Sequence, residues 1–445
     1  MTDLIWLAGS ILVIVLLITK VKLHPAISLV IGTLLLGLLT RVPLADLADT
    51  VTGGFGELMA GIGLSVGFGI ILGQLLSDSG GARVIARTVV NATSERFAMY
   101  GLAGAAFVLS IPVFYDVTFV ILVPLALAIA REAQKSMPLA VGAVALGAGT
   151  SHTLVPPTPN PLAAGEILNF DVGIMLLIGG LSGLIAMVLA VAAYSAILPR
   201  IWRPERDQEE QPAFLEHDDQ VARPEPGFFV SLLPILTPVV LILSGTTWAA
   251  VAGETPTWLT VLTDKTVALL LGALVAYLVS SRTMARPEME QSATTAVQSA
   301  GIVLLITGAG GAFGAVIEAA GIGELIADSV VAFGGNYLVG LLACYFVGMA
   351  FRVAVGSGTV ASITTLTIMA SLAPTLGIHP VWVAMACLSG ALSLGHINDS
   401  GFWVTAKLPG FSVTGGLKTY TLAQSIASVF TLVIVLIGAT VLPMN

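Results

Sequence analysis

Charged side chains are scarce in this sequence. Asp, Glu, Lys and Arg together make up 10% of its 445 residues, against about 25% in a typical soluble protein. So few charges cannot cover the surface of two or three soluble domains, which a chain of this length would ordinarily form. The net charge of −8 excludes a basic nucleic-acid-binding protein. The two cysteines, Cys344 and Cys387, both lie in apolar runs, which excludes a disulfide framework and a zinc site.

Apolar residues are abundant instead: AVILMFWYC make up 56% of the chain, and it contains 48 glycines and 22 prolines. A membrane-spanning helix needs about 20 mostly apolar residues, and glycine and proline are more frequent in such helices than in soluble ones. The first run lacks a basic region and a cleavage site, so it is predicted to be a retained helix. The sequence predicts an all-α polytopic membrane protein with spans near 3–19, 24–40, 57–76, 138–168, 172–194, 229–245, 266–281, 298–318, 380–408 and 416–442.

Two further apolar stretches, 98–131 and 337–371, are broken near their centres, and each could be two spans or one re-entrant hairpin. Basic residues decide between these alternatives, because loops on the cytoplasmic side carry an excess of Lys and Arg. With the N-terminus outside and both stretches as hairpins, 15 of the 18 basic residues are cytoplasmic, and Arg41 and Lys265 are outside. The cytoplasmic set is Lys20, Lys22, Arg83, Arg87, Arg96, Arg131, Lys135, Arg200, Arg203, Arg206, Arg223, Arg282, Arg286, Lys407 and Lys418.

A polar segment, 199–228, is predicted to be a solvated cytoplasmic linker between two halves, 1–198 and 229–445. Each half contains the same order of parts, including a glycine-rich span, a hairpin (98–131 or 337–371) and a broken helix (138–168 or 380–408). Five full spans per half, an odd number, invert the second half relative to the first. Inverted repeats with interrupted helices at matching positions indicate a secondary transporter with its binding site near the middle of the membrane.

Four interruptions fall at membrane depth, at 110–118, 149–161, 351–359 and 393–401. Non-helical backbone survives there only where protein buries it or where it lines a wet cavity. The N-termini of the half-helices at such breaks present unpaired N–H groups and a positive dipole end, which favour an anion. The four breaks therefore predict one anion-binding site.

The segments Phe114–Pro124, Ser151–Asn160, Arg352–Val360 and Gly395–Trp403 resemble those of the gluconate:proton symporter (GntP) family, within the ion transporter superfamily. The similarity runs over nearly the whole chain, and Gly395–Trp403 is its most specific part. The resemblance implies an elevator-type, commonly dimeric transporter of the bacterial inner membrane. Asp116 stands where the family commonly has Glu, and Thr158 where a second histidine is expected. A generic sugar-acid specificity therefore carries over better than gluconate itself.

Charged and titratable residues at the breaks are the first candidates for the site. Arg352 is the one basic residue placed inside the membrane, where it either clamps a substrate carboxylate or forms a structural ion pair with Asp116 or Asp399. Asp116 and Asp399 either cap helices or carry the coupling proton. His152 and His396 occupy matching breaks, and each is either a structural histidine or a proton relay.

Small polar groups complete the predicted substrate site, since a polyhydroxylated ligand needs many hydrogen-bonding partners. Local helix capping is the alternative role for each of them. Tyr115 would pack at a hairpin tip or stack on a sugar face. Besides Tyr115, this part of the predicted site comprises Thr118, Ser151, Thr153, Thr158, Asn160, Gly356, Ser357, Gly358, Thr359 and Asn398.

These features predict a proton symporter that imports a sugar acid, with the lipid bilayer as its surroundings, no cofactor, no bound metal, a homodimeric state and both termini on the periplasmic side. A sodium-coupled carboxylate transporter of the same architecture is the nearest alternative, because carbonyl and hydroxyl oxygens of Gly356–Thr359 and Ser393–Asn398 would suit Na⁺. An intramembrane enzyme is a remote alternative, since no nucleophile, metalloprotease or phosphate-loop motif is present.

Overall fold

The computed structural model describes residues 2–132, 135–209, 225–252, 255–322, 325, 336–397 and 399–444. Regular structure in these ranges is helical, apart from an isolated backbone bridge between Gln208 and Phe411. The first half contains α1 (Thr2–Leu16), α2 (Pro25–Leu39), α3 (Leu44–Asp78), α4 (Gly81–Asn91), α5 (Ala98–Leu109), α6 (Tyr115–Glu132), α7 (Met137–Leu154), α8 (Pro159–Ile167), α9 (Val172–Ile201) and the short α10 (Pro204–Asp207).

The second half repeats this helical character. It contains α11 (Phe228–Ala252), α12 (Thr257–Thr263), α13 (Lys265–Ser280), α14 (Arg286–Ala319), α15 (Tyr337–Val355), α16 (Gly358–Met369), α17 (Pro380–Leu392), α18 (Ser400–Lys407), α19 (Val413–Gly416) and α20 (Leu422–Val441). A π-helical turn, Leu417–Thr421, joins α19 to α20.

Side-chain caps fix where several of these helices begin. His24 and His379 each precede a proline, which has no N–H. Their ring nitrogens accept hydrogen bonds from the first backbone N–H groups of α2 and α17, those of Ala26 and Val381, at 3.3 and 3.2 Å. Asp171 and Asp264 cap α9 and α13 in the same way, each accepting from two backbone N–H groups. These caps satisfy donors that helix ends leave unpaired.

Among the described residues, seven helical segments are long and apolar enough to cross a membrane, with α7–α8 and α19–α20 each counted as one segment. The number is eight when the bent pair α12 and α13 counts as one span. The seven include α15, which belongs to a predicted hairpin, and four shorter apolar helices accompany them, in α1, α2, α6 and α17. The protein is therefore a multi-pass membrane protein. The count of ten spans and the inverted arrangement stay predictions.

The glycine-rich spans predicted at 57–76 and 298–318 are parts of two longer helices, α3 with 35 residues and α14 with 34. These helices, one from each half, meet backbone to backbone. A Cβ added at Gly54 would lie 2.7 Å from the Gly311 carbonyl oxygen, and one added at Gly311 would lie 2.6 Å from the Gly54 oxygen. Glycine is required at this crossing because any side chain would push the helices apart.

The start of the predicted linker is packed against the second half rather than solvated. Asp207 is fully buried and accepts hydrogen bonds from Lys418 Nζ, at 2.6 and 2.9 Å, and from the Arg203 amide, at 2.6 Å. The Ser412 amide donates to the Asp207 carbonyl oxygen at 3.0 Å. Burial alone would raise the pKa of the Asp207 carboxyl, but the hydrogen bonds from Lys418 and Arg203 outweigh it and hold the pKa below its usual range.

Asp207→Ala should destabilise the protein by about 2 kcal/mol, because it leaves the Lys418 ammonium and a backbone N–H without their acceptor. The lowered pKa means that the folded state favours the ionised carboxylate, so this stabilisation is complete above the ordinary aspartate pKa and is lost as the pH falls through the folded-state value. Thermal unfolding in detergent should separate wild type from variant at pH 7, with the difference shrinking below about pH 4. If the difference in thermal unfolding between wild type and variant were as large below about pH 4 as at pH 7, this account would be contradicted.

Candidate functional site

A cavity of about 860 Å³ lies among the ends of the broken helices. Its wall includes residues from the first turns of four of them: Asp116 of α6, Asn160 of α8, Thr359 of α16 and Gly401 of α18. The N-terminus of a helix carries the positive end of its dipole and unpaired N–H groups. Four such ends facing one cavity give it a positive character before any side-chain charge is considered.

Local chemistry explains why the chain breaks at these points. Gly356 ends α15 with a φ of 83°, a left-handed conformation that glycine adopts without strain, and the next residue, Ser357, caps α16 by accepting from the Val360 amide at 3.4 Å. Between α7 and α8, prolines at positions 156 and 157 cannot continue the helical hydrogen bonding, and the Thr158 hydroxyl donates to the Val155 carbonyl at 2.7 Å.

Arg352 and Asp399 form a buried ion pair in the cavity wall. The guanidinium Nη2 donates to Asp399 Oδ2 and, at 2.8 Å, to the Tyr420 hydroxyl, while Nη1 donates to the Gly356 carbonyl at 2.9 Å. The Tyr420 hydroxyl in turn donates to Asp399 at 2.5 Å, and the Gly401 amide donates to the other carboxylate oxygen at 3.0 Å. The structural pairing considered for Arg352 is therefore present, with Asp399 as its partner.

Glycine makes room for this pair. A Cβ at Gly395 would lie 2.4 Å from Arg352 Nη2 and 2.9 Å from Asp399 Oδ2. A Cβ at Gly358 would lie 2.9 Å from Arg352 Nη1. Since both positions are without a side chain, the guanidinium reaches the carboxylate and the carbonyl at once.

Four buried polar atoms of the cavity wall have no hydrogen-bond partner among the residues that the structure describes: Arg352 Nε, His152 Nδ1, Asn160 Oδ1 and Gln424 Oε1. Buried polar groups in folded proteins are nearly always paired, so such a cluster calls for a partner that the cavity would admit. One atom belongs to a cation and donates, two are amide acceptors, and the imidazole nitrogen donates or accepts according to its tautomer.

Aromatic rings frame the same cavity. The Phe114 and His152 rings lie 5.6 Å apart, and the Tyr115 ring packs edge-on against Tyr420 at 5.7 Å. The Tyr115 hydroxyl hydrogen-bonds with the Thr405 hydroxyl at 2.7 Å, so it is held in the protein interior rather than presented to a ligand.

Eleven of the sixteen predicted site residues line this cavity: Arg352, Tyr115, Asp116, His152, Thr153, Asn160, Gly356, Ser357, Gly358, Thr359 and Asp399. Thr118, Ser151 and Thr158 are buried outside its wall, and Thr118 accepts from the Ser110 hydroxyl at 3.0 Å. The His396 ring lies outside the wall too, where its Nε2 contacts the Val353 carbonyl at 3.1 Å. Asn398 lies outside the described residues.

Sequence reasoning missed Tyr420 and Gln424, which both line the cavity. A signal for them exists in the sequence. Tyr420, Gln424, Ser428 and Thr431 recur at helical spacing in an otherwise apolar span, and all four are buried. Such a polar stripe marks the face of a membrane helix that turns toward the protein interior.

Within the described ranges, no group of three His, Cys, Asp or Glu side chains is placed to hold a metal ion. The ionisable groups of the cavity wall, besides its tyrosines, are two cations (Arg352 and Lys22), two carboxylates (Asp116 and Asp399) and the imidazole of His152.

The family model of the GntP family permeases matches residues 2–441. This chain belongs to the GntP permease family. A permease moves its ligand rather than transforming it, so the chain is a transporter and not an enzyme. The resemblance drawn from the four broken segments is confirmed.

Curated relatives cover nearly the whole chain. A gluconate permease of Pseudomonas aeruginosa is 32% identical over 97% of this chain and 96% of its own length. The inner membrane permease YgbN of Escherichia coli is 32% identical over 94% of each chain. A high-affinity gluconate transporter of Escherichia coli is 30% identical over 98% of each chain.

Two solved transporters share the fold. The YdaH transporter of Alcanivorax borkumensis superposes with a TM-score of 0.70 over 95% of this permease and 100% of that chain, at 15% identity. MtrF of Neisseria gonorrhoeae superposes with a TM-score of 0.62 over 88% and 83%, at 13% identity. At these identities the likeness concerns the fold alone.

Proposed function

We propose that this permease is a secondary active transporter that takes up gluconate or a similar sugar acid by proton symport. The observation that carries the proposal is the meeting of four helix N-termini and Arg352 at one cavity. Each favours an anion, and the guanidinium fork suits a carboxylate in particular. Relatives that are gluconate permeases support the choice of acid.

The rest of the cavity suits a hydroxylated chain. Asn160 and Gln424 offer amide oxygens that no described residue pairs, and Ser357, Thr359 and Thr153 offer further short polar groups. A fatty acid of the same length would leave these groups buried and unpaired, which disfavours its binding. A sugar acid supplies one carboxylate for Arg352 and several hydroxyls for the remainder.

Proton coupling in this proposal follows from an exchange of carboxylates on Arg352. In the structure, Asp399 neutralises the guanidinium. A substrate carboxylate that takes the guanidinium leaves Asp399 without its cation, so Asp399 gains a proton more readily. Asp116 lines the same cavity and is the second candidate carrier.

The proposed architecture has two inverted repeats, 1–198 and 229–445, with paired hairpins and an elevator-type movement, in a homodimer of the bacterial inner membrane with periplasmic termini. The broken helices support it, because the interruptions in α5–α6 and α7–α8 correspond in order to those in α15–α16 and α17–α18. The shared fold of two solved transporters is consistent with this design.

The decisive test is uptake of labelled gluconate into proteoliposomes under imposed ion gradients. We expect accumulation when the outside is acidic, and none from a sodium gradient at equal pH. Collapse of the pH gradient by an uncoupler should abolish accumulation while leaving gluconate counterflow intact. Accumulation driven by sodium alone would replace proton symport with the sodium-coupled alternative, and a complete lack of gluconate counterflow would overturn the substrate.

A further inference from the structure

Gln424 lies in the first turn of α20 and lines the cavity near Tyr420. Its side chain is almost completely buried, with 2% of its surface exposed. An uncharged, flexible amide inside a membrane helix is costly to keep unless it has a partner. Of the two polar atoms of this amide, only the nitrogen has a hydrogen-bond partner among the described residues.

The orientation of the amide is fixed. Gln424 Nε2 donates to the Ala145 carbonyl oxygen of α7 at 2.8 Å. The reversed orientation would bring two oxygens to that distance, so the nitrogen must face Ala145 and the oxygen must face away. Gly149 lets the amide lie flat on α7, since a Cβ there would be 2.0 Å from Nε2 and 2.3 Å from Oε1.

The amide oxygen is thereby held as a free acceptor. Gln424 Oε1 is buried and has no hydrogen-bond partner among the described residues. A carboxylate would be repelled there, because both groups only accept. A hydroxyl group is the complementary partner, since it donates a hydrogen bond and carries no charge.

We infer that Gln424 is a specificity-determining residue, whose Oε1 accepts a hydrogen bond from one hydroxyl of the substrate while Arg352 holds the carboxylate. The inference rests on the proposed function and assigns part of the selectivity to a named atom. A site built to bind a hydroxyl rejects an analogue without it, because the buried acceptor then stays unpaired.

Competition against labelled gluconate counterflow measures this selectivity. The competitors are unlabelled gluconate, the set of monodeoxygluconates and hexanoate, which has the same carbon number and no hydroxyl. Gln424→Met keeps the length of the side chain and removes the acceptor. We expect it to weaken gluconate about tenfold, as loss of one hydrogen bond does. One monodeoxygluconate lacks the hydroxyl that Gln424 binds. This analogue should compete with labelled gluconate equally well in the wild type and in the variant, and so should hexanoate.

Two further variants separate this role from packing. Gly149→Ala displaces the amide without altering it and should reproduce the selectivity change of Gln424→Met. Ser428→Ala removes a buried hydroxyl one turn further along α20, where it donates to the Ser389 carbonyl at 2.6 Å, outside the cavity wall. It should leave every competition ratio unchanged.

Each remaining outcome counts against the inference. If Gln424→Met weakens all competitors equally, or changes none, Gln424 has a packing role only. If wild type itself prefers gluconate no more than hexanoate, the proposed function fails and the inference with it. If the wild type prefers gluconate to hexanoate, and both Gln424→Met and Gly149→Ala keep that preference unchanged, the inference is overturned while the proposed function stands.

Discussion

Arg352→Gln should abolish gluconate binding, and Arg352→Lys should weaken it by about 100-fold or more. The guanidinium is held between Asp399, Tyr420 and the Gly356 carbonyl, and its Nε has no partner within the described part of the chain. A lysine ammonium is a point charge that cannot reproduce this planar fork, and glutamine supplies no charge at all. Charge-assisted hydrogen bonds are roughly twice as strong as neutral ones, and two of them would be lost.

The measurement is calorimetric or fluorescence titration of purified protein with gluconate, beside its uptake into proteoliposomes. Arg87→Gln is the matched control, because it makes the same change at an exposed arginine that pairs with Glu225 at 3.3 Å. It should bind as wild type does. Wild-type affinity in a folded Arg352→Gln protein would show that the Arg352–Asp399 pair is purely structural.

Asp399→Asn should retain gluconate exchange and lose accumulation driven by a pH gradient. The amide keeps the size of the side chain and its acceptor for the Gly401 amide, but it cannot take up a proton on one side of the membrane and release it on the other. In the proposed cycle this removes the step that ties substrate binding to protonation. Wild-type uptake should rise as the outside pH falls, and uptake by the variant should be flat over the same range.

Asp116→Asn is the companion variant, because Asp116 lines the same cavity without an ion pair to Arg352. Counterflow and gradient-driven uptake, measured on the same proteoliposomes, distinguish the two carboxylates. The residue whose amide variant separates these activities is the proton carrier. If both variants accumulate gluconate under a pH gradient as wild type does, the carboxylate exchange on Arg352 is not the coupling step.

Much of the fold could be predicted because a membrane imposes simple requirements. Apolar runs of sufficient length had to be helices. Breaks such as Gly356–Ser357 can be recognised in the sequence from glycine, proline and capping residues. Helix ends outside the apolar runs could not be placed in the same way. The first part of α3, Leu44–Glu57, contains three acidic residues, and the apolar part of the helix follows it. Hydropathy alone therefore does not reveal that the helix begins at Leu44.

The site was predictable where a residue is rare for its surroundings, as a lone arginine inside the membrane is. The partners of Arg352 were less accessible. Asp399 and Asp116 stand equally near a break in the sequence. Only the packing of α15 against α17, the helix that precedes Asp399, brings Asp399 to Arg352. Tyr420 and Gln424 escaped notice because they lie in an unbroken apolar span, where a polar stripe carries a weaker signal than an interruption. The packing of the start of the linker could not be predicted either, because Asp207 lies in a polar segment and its partner Lys418 is distant in the sequence.

Tyr420 is held in place beside the Arg352–Asp399 pair by the contacts of its neighbours in the chain. Two residues before it, Lys418 is bound to Asp207, and one residue after it, the Thr421 hydroxyl donates to the Gly395 carbonyl at 2.5 Å. The Tyr420 hydroxyl touches both members of the ion pair. In the proposed cycle, in which a substrate displaces Asp399 from Arg352, this hydroxyl would still hold the carboxylate in position. Binding in that cycle would rearrange one ionic contact and a proton, while the contacts of Lys418 and Thr421 keep the position of Tyr420.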